Sequence, residues 1–368
     1  MTNDIIKSVR GRLSSYLTFY HEIRIPDNDF FNIEKNRCKD KNILIVTSPS
    51  RMGNHILMSV LDSHPMLPRS PGEDGFLSFS FSEANYDVNK FIKLLTSGNT
   101  KYLLSFASYG GLNKWKSFKE MYKSGELSSN CSGINIKRFS AVQDFSKLTF
   151  NVNYEKFSNQ LQDGILNINP KTSVYNDYLS AYLNAAGFLD FKKNSTKYDY
   201  YNIFSGMRTQ LHWICKTFDN VKALVSLRSF DTYVFSHVKS RYGVSQELTD
   251  DLINEAWEHW YHKVIDFIWL RLNYPSKVGI VTFDDLINNS KKTHYLICDF
   301  LDIEYSSKME NATAFGFPVY GNSFRTDNNN PPGDFYSPKH TLDKGKIPKE
   351  YYLIWDNVNK IELQMDLE

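Results

Sequence analysis

The sequence is short of several things, and each shortage excludes a class of protein. Its four cysteines, Cys38, Cys131, Cys215 and Cys298, are scattered along 368 residues and form no C-x-x-C pair. A disulfide framework and a thiolate zinc site are thereby disfavoured, and reduced thiols in a cytoplasmic protein are expected. No apolar run reaches the roughly 18 residues of a membrane span. Leu13–Tyr20 is broken by polar residues, so no secretory leader is expected either. Charge of one sign is also lacking: 43 Lys and Arg stand against 41 Asp and Glu, a net +2. A nucleic-acid binder would show a basic patch or a much more basic balance. Small clusters such as Lys39-Asp-Lys41 and Lys291-Lys292 read as solvated faces. Proline and glycine rarely cluster; Arg69-Ser-Pro-Gly72 and Asn328-Asn-Asn-Pro-Pro-Gly333 read as loops, and nothing marks a linker or a repeat. At 368 residues the chain could be one large α/β domain or two small ones.

What is present starts at Asn42-Ile-Leu-Ile-Val-Thr-Ser-Pro-Ser-Arg51-Met-Gly53-Asn54-His55. A short apolar, β-branched run reads as a buried strand. A turn with Pro49 and Gly53 follows, and then Ile56–Leu61 reads as an amphipathic helix. Strand, glycine-bearing turn and helix aim backbone N–H groups and a helix N-terminus at an anion. Arg51 adds a cation at the same place. The turn is thus expected to hold a phosphate or sulfate group. It is not a nucleoside-triphosphate loop, because Gly53 is followed by Asn54 and His55, not by the lysine and hydroxyl of G-K-[ST].

A second segment repeats the pattern. Val221–Leu227 reads as a strand running into a helix, with Arg228 at its carboxyl end, where open α/β sheets bind ligands. Ser229 or Asp231 can cap that helix. Ser236 lies eight positions after Arg228, about two helical turns on, so the two could converge on one group.

Together these segments resemble the sulfotransferases that use 3′-phosphoadenylyl sulfate (PAPS). Pro49-Ser-Arg51-Met52-Gly53-Asn54-His55 is similar to that family's P-x-R-S-G-[ST]-[TH] loop, and Arg228 with Ser236 matches its strand-end arginine and helical serine. Val278-Gly-Ile-Val-Thr-Phe-Asp284-Asp285-Leu286 resembles a strand ending in Y-E-D-L, and Cys298–Ile303 and Asp62-Ser-His-Pro65 also fit. Two departures stand out: Met52 replaces a serine or threonine, and Ser229-Phe230 replaces Asp-Pro.

The resemblance implies a single α/β domain over residues 1–368, with a central parallel sheet flanked by helices, a P-loop-like sulfotransferase fold. The nucleotide core would span about 40–80 and 205–305, with a largely helical acceptor-binding insertion at about 85–205 and a C-terminal loop and helix at about 315–368. It implies PAPS as co-substrate, adenosine 3′,5′-bisphosphate (PAP) as product, and no metal. Ser50, Arg51, Met52, Gly53, Asn54 and His55 would hold the 5′-phosphosulfate. Arg228, Ser236 and, from the tail, Arg325 would hold the 3′-phosphate. Arg51, His55 and Arg208 would act on the transferring group. Glu73, in Pro71-Gly-Glu73-Asp74-Gly, would be the general base, with Asp74 and His55 as competitors. The expected acceptor is a hydroxyl or amine of a small metabolite, as in natural-product tailoring. A carbohydrate sulfotransferase, a non-catalytic sulfonucleotide-binding protein and a nucleotide kinase are the alternatives. The tryptophans of the helix expected over 248–272 read as core.

Overall fold

The computed structural model describes residues 2–14, 42–67, 163–164, 198–203, 208–243, 245–314, 317–318 and 341–363. At its centre stand four parallel strands: β1 (Ile43–Thr47), β2 (Asp199–Ile203), β3 (Val221–Leu227) and β4 (Val278–Thr282). Their spatial order is β2-β1-β3-β4. Every residue of β1 and β4 is buried, as are all of β3 but Lys222. That is what a parallel sheet covered on both faces demands, and it explains the near-continuous apolar runs.

The flanking helices are α1 (Thr2–Arg12), α2 (Asn54–Asp62), α3 (Arg208–Thr217), α4 (Phe230–Tyr242), α5 (Asp250–Asn273), α6 (Phe283–Asn288), α7 (Ser290–Phe300) and α8 (Lys349–Ile361). A two-stranded antiparallel pair, β5 (Thr313–Ala314) with β6 (Phe317–Pro318), and two short 3-10 turns, Ser307–Glu310 and Lys344–Lys346, accompany them. Thr249 caps α5 by accepting from the Leu252 amide, and Thr282 caps α6 by accepting from Asp285. The α/β class with a central parallel sheet flanked by helices is as the sequence implies.

β2 is a departure from the sequence reading, which placed no strand between about 85 and 205 and expected a largely helical stretch there. Its residues, Asp-Tyr-Tyr-Asn-Ile, include a single aliphatic. Such a stretch carries no buried-strand signature, because β2 lies at the edge of the described sheet. Apart from 163–164 and 198–203, the stretch expected to bind the acceptor lies outside the described residues, as do the loops 68–75 and 319–340.

The core is continuous across both faces. Trp260, Tyr233 and Phe230 are its largest fully buried side chains. Trp260 stacks on Trp257 and packs against Phe230, Tyr351 and Trp355, which ties α5, α4 and α8 into one aromatic block. The packing role expected for the α5 tryptophans is what their burial shows. Arg271 is buried too, and donates to the carbonyls of Pro275, Val278 and Ile361, fixing the chain ends around β4.

Candidate anion-binding site

β1 and β3 are the two central neighbours, and the chain leaves them for different sides of the sheet order. Their carboxyl ends flank a topological switch point, the usual ligand crevice of an open α/β sheet. The turn after β1 is tight: the Met52 amide donates to the Pro49 carbonyl at 3.2 Å. Arg51 sits in it with φ +69°, a left-handed backbone that costs a non-glycine residue about 1 kcal/mol. Such strain persists only where the surroundings over-determine it, and it concentrates at working sites.

Gly53 closes the turn with φ +102° and stands at the N-cap of α2, with no side-chain cap. A Cβ there would lie 2.7 Å from Ser226 Oγ and 2.8 Å from Phe283 Cδ2. Glycine is thus required twice, by its φ and by the close approach of β3 and α6. Ser226 Oγ donates to the Met52 carbonyl at 2.7 Å, which stitches the turn to β3. The amides of the first turn of α2 carry the positive end of the helix, and those of Ile56 and Leu57 close on the Gly53 carbonyl.

Arg51 reaches across the crevice. Its Nε donates to Ser236 Oγ, on α4, at 3.1 Å. Burial pulls the Arg51 pKa down from its usual value, so desolvation makes this cation costly to hold. Arg228, just past β3, is held differently. Its Nε donates to Thr232 Oγ1 at 2.9 Å, and its guanidinium lies 4.2 Å over the Phe283 ring. Its own carbonyl accepts from Trp260 Nε1 at 2.7 Å. Burial pushes the Arg228 pKa down to about 10; Asp284 opposes the shift, and nearby Arg51 adds to it. The two guanidiniums therefore lie near enough for the charge of Arg51 to weigh on Arg228. Among the described residues, no carboxylate is within ion-pair distance of Arg228. Asp284 is the nearest acidic influence, and burial raises its own pKa, against a hydrogen bond from Ser229 and the pull of Arg228. Two part-buried guanidiniums beside a helix N-terminus make a place where an anionic group is favoured.

The expected residues are therefore partly assembled. Arg51, Gly53, Ser236 and Arg228 come together. Ser50 lies half-buried in the turn, and Asn54 is buried at the first residue of α2. The Met52 side chain is fully buried in the core, so only its backbone faces the turn. The convergence differs in detail from the spacing argument: Ser236 meets Arg51, while Arg228 is braced by Thr232. Ser229 takes the N-cap position of α4, but its hydroxyl pairs with Thr232 Oγ1 instead of capping a backbone amide. His55 and Arg208 stand at the first turns of α2 and α3; their side chains lie outside the described part. Glu73, Asp74 and Arg325 lie outside the described residues. His64 is buried at the end of α2, with Nε2 toward the Glu304 carbonyl and Nδ1 accepting from the Met66 amide.

Sequence reasoning missed Thr232, Phe283 and Asp284 as neighbours of Arg228, and Tyr233 behind Arg51. The Phe283-Asp284 pair stood inside a quoted motif, and only its ring and charge geometry shows its part. Among the described residues, no group of His, Cys, Asp and Glu side chains could hold a metal ion, and no helix is long and apolar enough to cross a membrane.

No family profile matches the chain, and no curated protein matches it significantly. Its backbone is similar, loosely, to solved sulfotransferases. One is the sulfotransferase domain of the Synechococcus PCC 7002 olefin synthase (TM-score 0.43, 18% identity, over 76% of this chain and 80% of that one). A second is the sulfotransferase domain of the curacin biosynthetic pathway (TM-score 0.42, 14% identity, over 87% and 98%). A third is the sulfotransferase STF1 of Mycobacterium tuberculosis H37Rv (TM-score 0.36, 14% identity, over 73% and 69%). Likenesses this loose describe a chain trace and say nothing of a reaction.

Proposed function

We propose that the protein is a PAPS-dependent sulfotransferase acting on a small-molecule hydroxyl or amine. The observation that carries the reading is the Arg51–Ser236 contact across the β1/β3 switch point, with Arg228 beside it. An anion-binding turn of P-loop shape, without lysine or metal-binding hydroxyl, is completed by two arginines and a serine. A sulfuryl group carries less charge than a terminal phosphate, so side-chain cations suffice to neutralise it.

In this reading Arg51 and the first amides of α2 face the 5′-phosphosulfate and stabilise the leaving phosphate. Arg228 and Ser236 favour the 3′-phosphate that separates PAPS from other adenylates. The protein positions the two oxygens in line, and Glu73 takes the acceptor proton. The reaction moves the sulfuryl group from the phosphate oxygen to the acceptor oxygen or nitrogen, leaving PAP and a proton. No metal is needed for the charge balance. The aromatic-rich composition suits a modest-sized metabolite, as in natural-product tailoring, in a cytoplasmic protein.

Thermal shift with PAP, against ATP as control, tests the donor site. Stabilisation by PAP alone is the expected result, and equal or absent shifts sink the reading. Turnover of PAPS against a broad acceptor panel, with mass-spectrometric detection of an added sulfo group, then separates an enzyme from a binding protein.

A further inference from the structure

Behind the Arg51–Ser236 contact lies a polar cluster that the donor-site reading leaves unused. Tyr233 is fully buried on α4, one helical turn before Ser236 and His237. Its hydroxyl lies 2.8 Å from His237 Nδ1 and 2.8 Å from His259 Nδ1, the latter on α5. The two imidazoles are 5.0 Å apart, and the His259 ring stacks parallel to the phenol. Beyond them, His237 Nε2 is 3.9 Å from Glu255, which Arg241 and the Tyr242 hydroxyl also hold.

A phenol has one proton to give, so two Nδ1 atoms on one hydroxyl cannot play the same part. One must accept from Tyr233, and the other must donate to its oxygen. The carboxylate facing His237 Nε2 selects an N–H there, which leaves His237 Nδ1 as the acceptor. His259 then carries its proton on Nδ1 and donates to the phenolic oxygen. The hydrogen bonds thus run one way, from His259 to Tyr233 to His237, with the Glu255 carboxylate 3.9 Å beyond as a nearby charge and not a hydrogen-bond partner. The series is complete only while His237 is neutral, because a proton added at His259 Nε2 leaves the Nδ1–H donor in place. A proton added at His237 Nδ1 removes that acceptor and makes His237 a second donor to the phenolic oxygen.

We propose that Tyr233 is a positioning residue of the anion site: its hydroxyl, locked between His237 and His259, holds the turn of α4 that presents Ser236 to Arg51. The inference rests on the donor-site reading and adds what keeps that site in register. The charged groups around the cluster are Arg51 from the turn after β1, Arg241 on α4, and Glu255 and Lys263 on α5. Burial is the largest cause lowering both imidazoles, His259 to about 4; Glu255 pulls His237 back up against Arg241 and Arg51, while His237, Lys263 and Arg241 add to the lowering at His259.

The experiment is PAP binding by calorimetry on the full chain between pH 5 and 8. At pH 7.5, Tyr233→Phe is expected to weaken PAP about tenfold, most of one charge-assisted hydrogen bond. Ser236→Ala is expected to lose a similar factor, and the double variant no more than either alone, because both act through one contact. His259→Asn, which places its amide where Nδ1 stands, is expected to bind nearly as wild type, and His259→Leu as Tyr233→Phe. This pair keeps the question open should Tyr233→Phe not fold. In ¹⁵N-histidine spectra, His237 and His259 are expected to show opposite tautomers, and Tyr233→Phe to abolish that asymmetry. Unchanged PAP affinity in Tyr233→Phe and His259→Leu overturns the proposal, as do losses that add in the double variant or two imidazoles of one tautomer. Wild-type protein that binds no PAP overturns the donor-site reading and this inference together.

Discussion

Gly53→Ala is expected to be the most costly single-methyl change in the described fold, and its cost can be divided. The left-handed φ of +102° penalises any Cβ by about 1–2 kcal/mol. The new carbon would lie 2.7 Å from Ser226 Oγ and 2.8 Å from Phe283 Cδ2. Both sites are buried and one is backed by β3, so relief requires about 1–3 kcal/mol of overpacking strain. Moving Ser226 also breaks its bond to the Met52 carbonyl, about 1 kcal/mol more. The expected loss is about 4 kcal/mol in urea unfolding, with PAP binding lost even where the variant stays folded. Two other glycines supply the controls. Gly243 also has a positive φ, +105°, but its Cβ would meet nothing within 4 Å, so Gly243→Ala isolates the backbone strain. Gly345 has no positive φ and a nearest atom at 3.7 Å, so Gly345→Ala is expected to be neutral or slightly stabilising. Should Gly53→Ala cost no more than Gly243→Ala, the close approach of turn, β3 and α6 is refuted.

Arg228→Ala is expected to weaken PAP by about 2 kcal/mol and to shrink the preference over adenosine 5′-phosphate by a like amount; competition binding reads both, and a folded variant with unchanged preference refutes the 3′-phosphate role. Glu73→Gln is expected to lower kcat about 100-fold with PAP affinity nearly intact, and near-normal turnover would pass the base role to Asp74 or His55. Glu362 carries a pH signature: burial, with Asp285 beside it, pushes its carboxyl up to about 8. Its folded pKa exceeds the unfolded value of 4.5, so its stabilising contribution is full below that value and fades as pH rises through about 8. Glu362→Gln is thus expected to gain stability relative to wild type as pH climbs across that window, and parallel curves would contradict the burial argument. His294, buried with neither ring nitrogen hydrogen-bonded, has its pKa lowered to about 4, chiefly by desolvation. Wild type is expected to lose stability as pH falls from 6.5 toward 4, and His294→Leu to lose less over the same range.

The parts of the fold legible in the sequence were those whose signal is local. Ile43–Thr47 and Val221–Leu227 are apolar runs because both faces of a parallel strand are covered, and each ends at a turn that must bend into a helix. Gly53 was legible as a turn glycine; that β3 and α6 press on it was not, because Ser226 and Phe283 are distant in the chain. Helical spacing put Ser236 on the site face of α4, but it could not say which arginine would reach it. That was decided by the left-handed backbone of Arg51, which swings its side chain toward α4. Tyr233 and His237 are one turn apart and readable as neighbours. His259 joins them only through the packing of α4 on α5, for which no short-range pattern exists. β2 was hidden because an edge strand can be polar and aromatic.

The sheet order carries a consequence for how the chain is made. β1 is synthesised early, yet its partners, β2 and β3, lie about 155 and 180 positions further on, so at 5–20 residues per second the ribosome takes roughly 10–35 s to supply both. Throughout that interval a five-residue stretch of Ile, Leu, Ile, Val and Thr has no edge to pair with. High contact order of this kind slows folding and leaves sticky backbone exposed to other nascent chains. Yield in a cell is therefore expected to depend on holdase chaperones and on translation speed across residues 48–220 more than on the final stability of the native state.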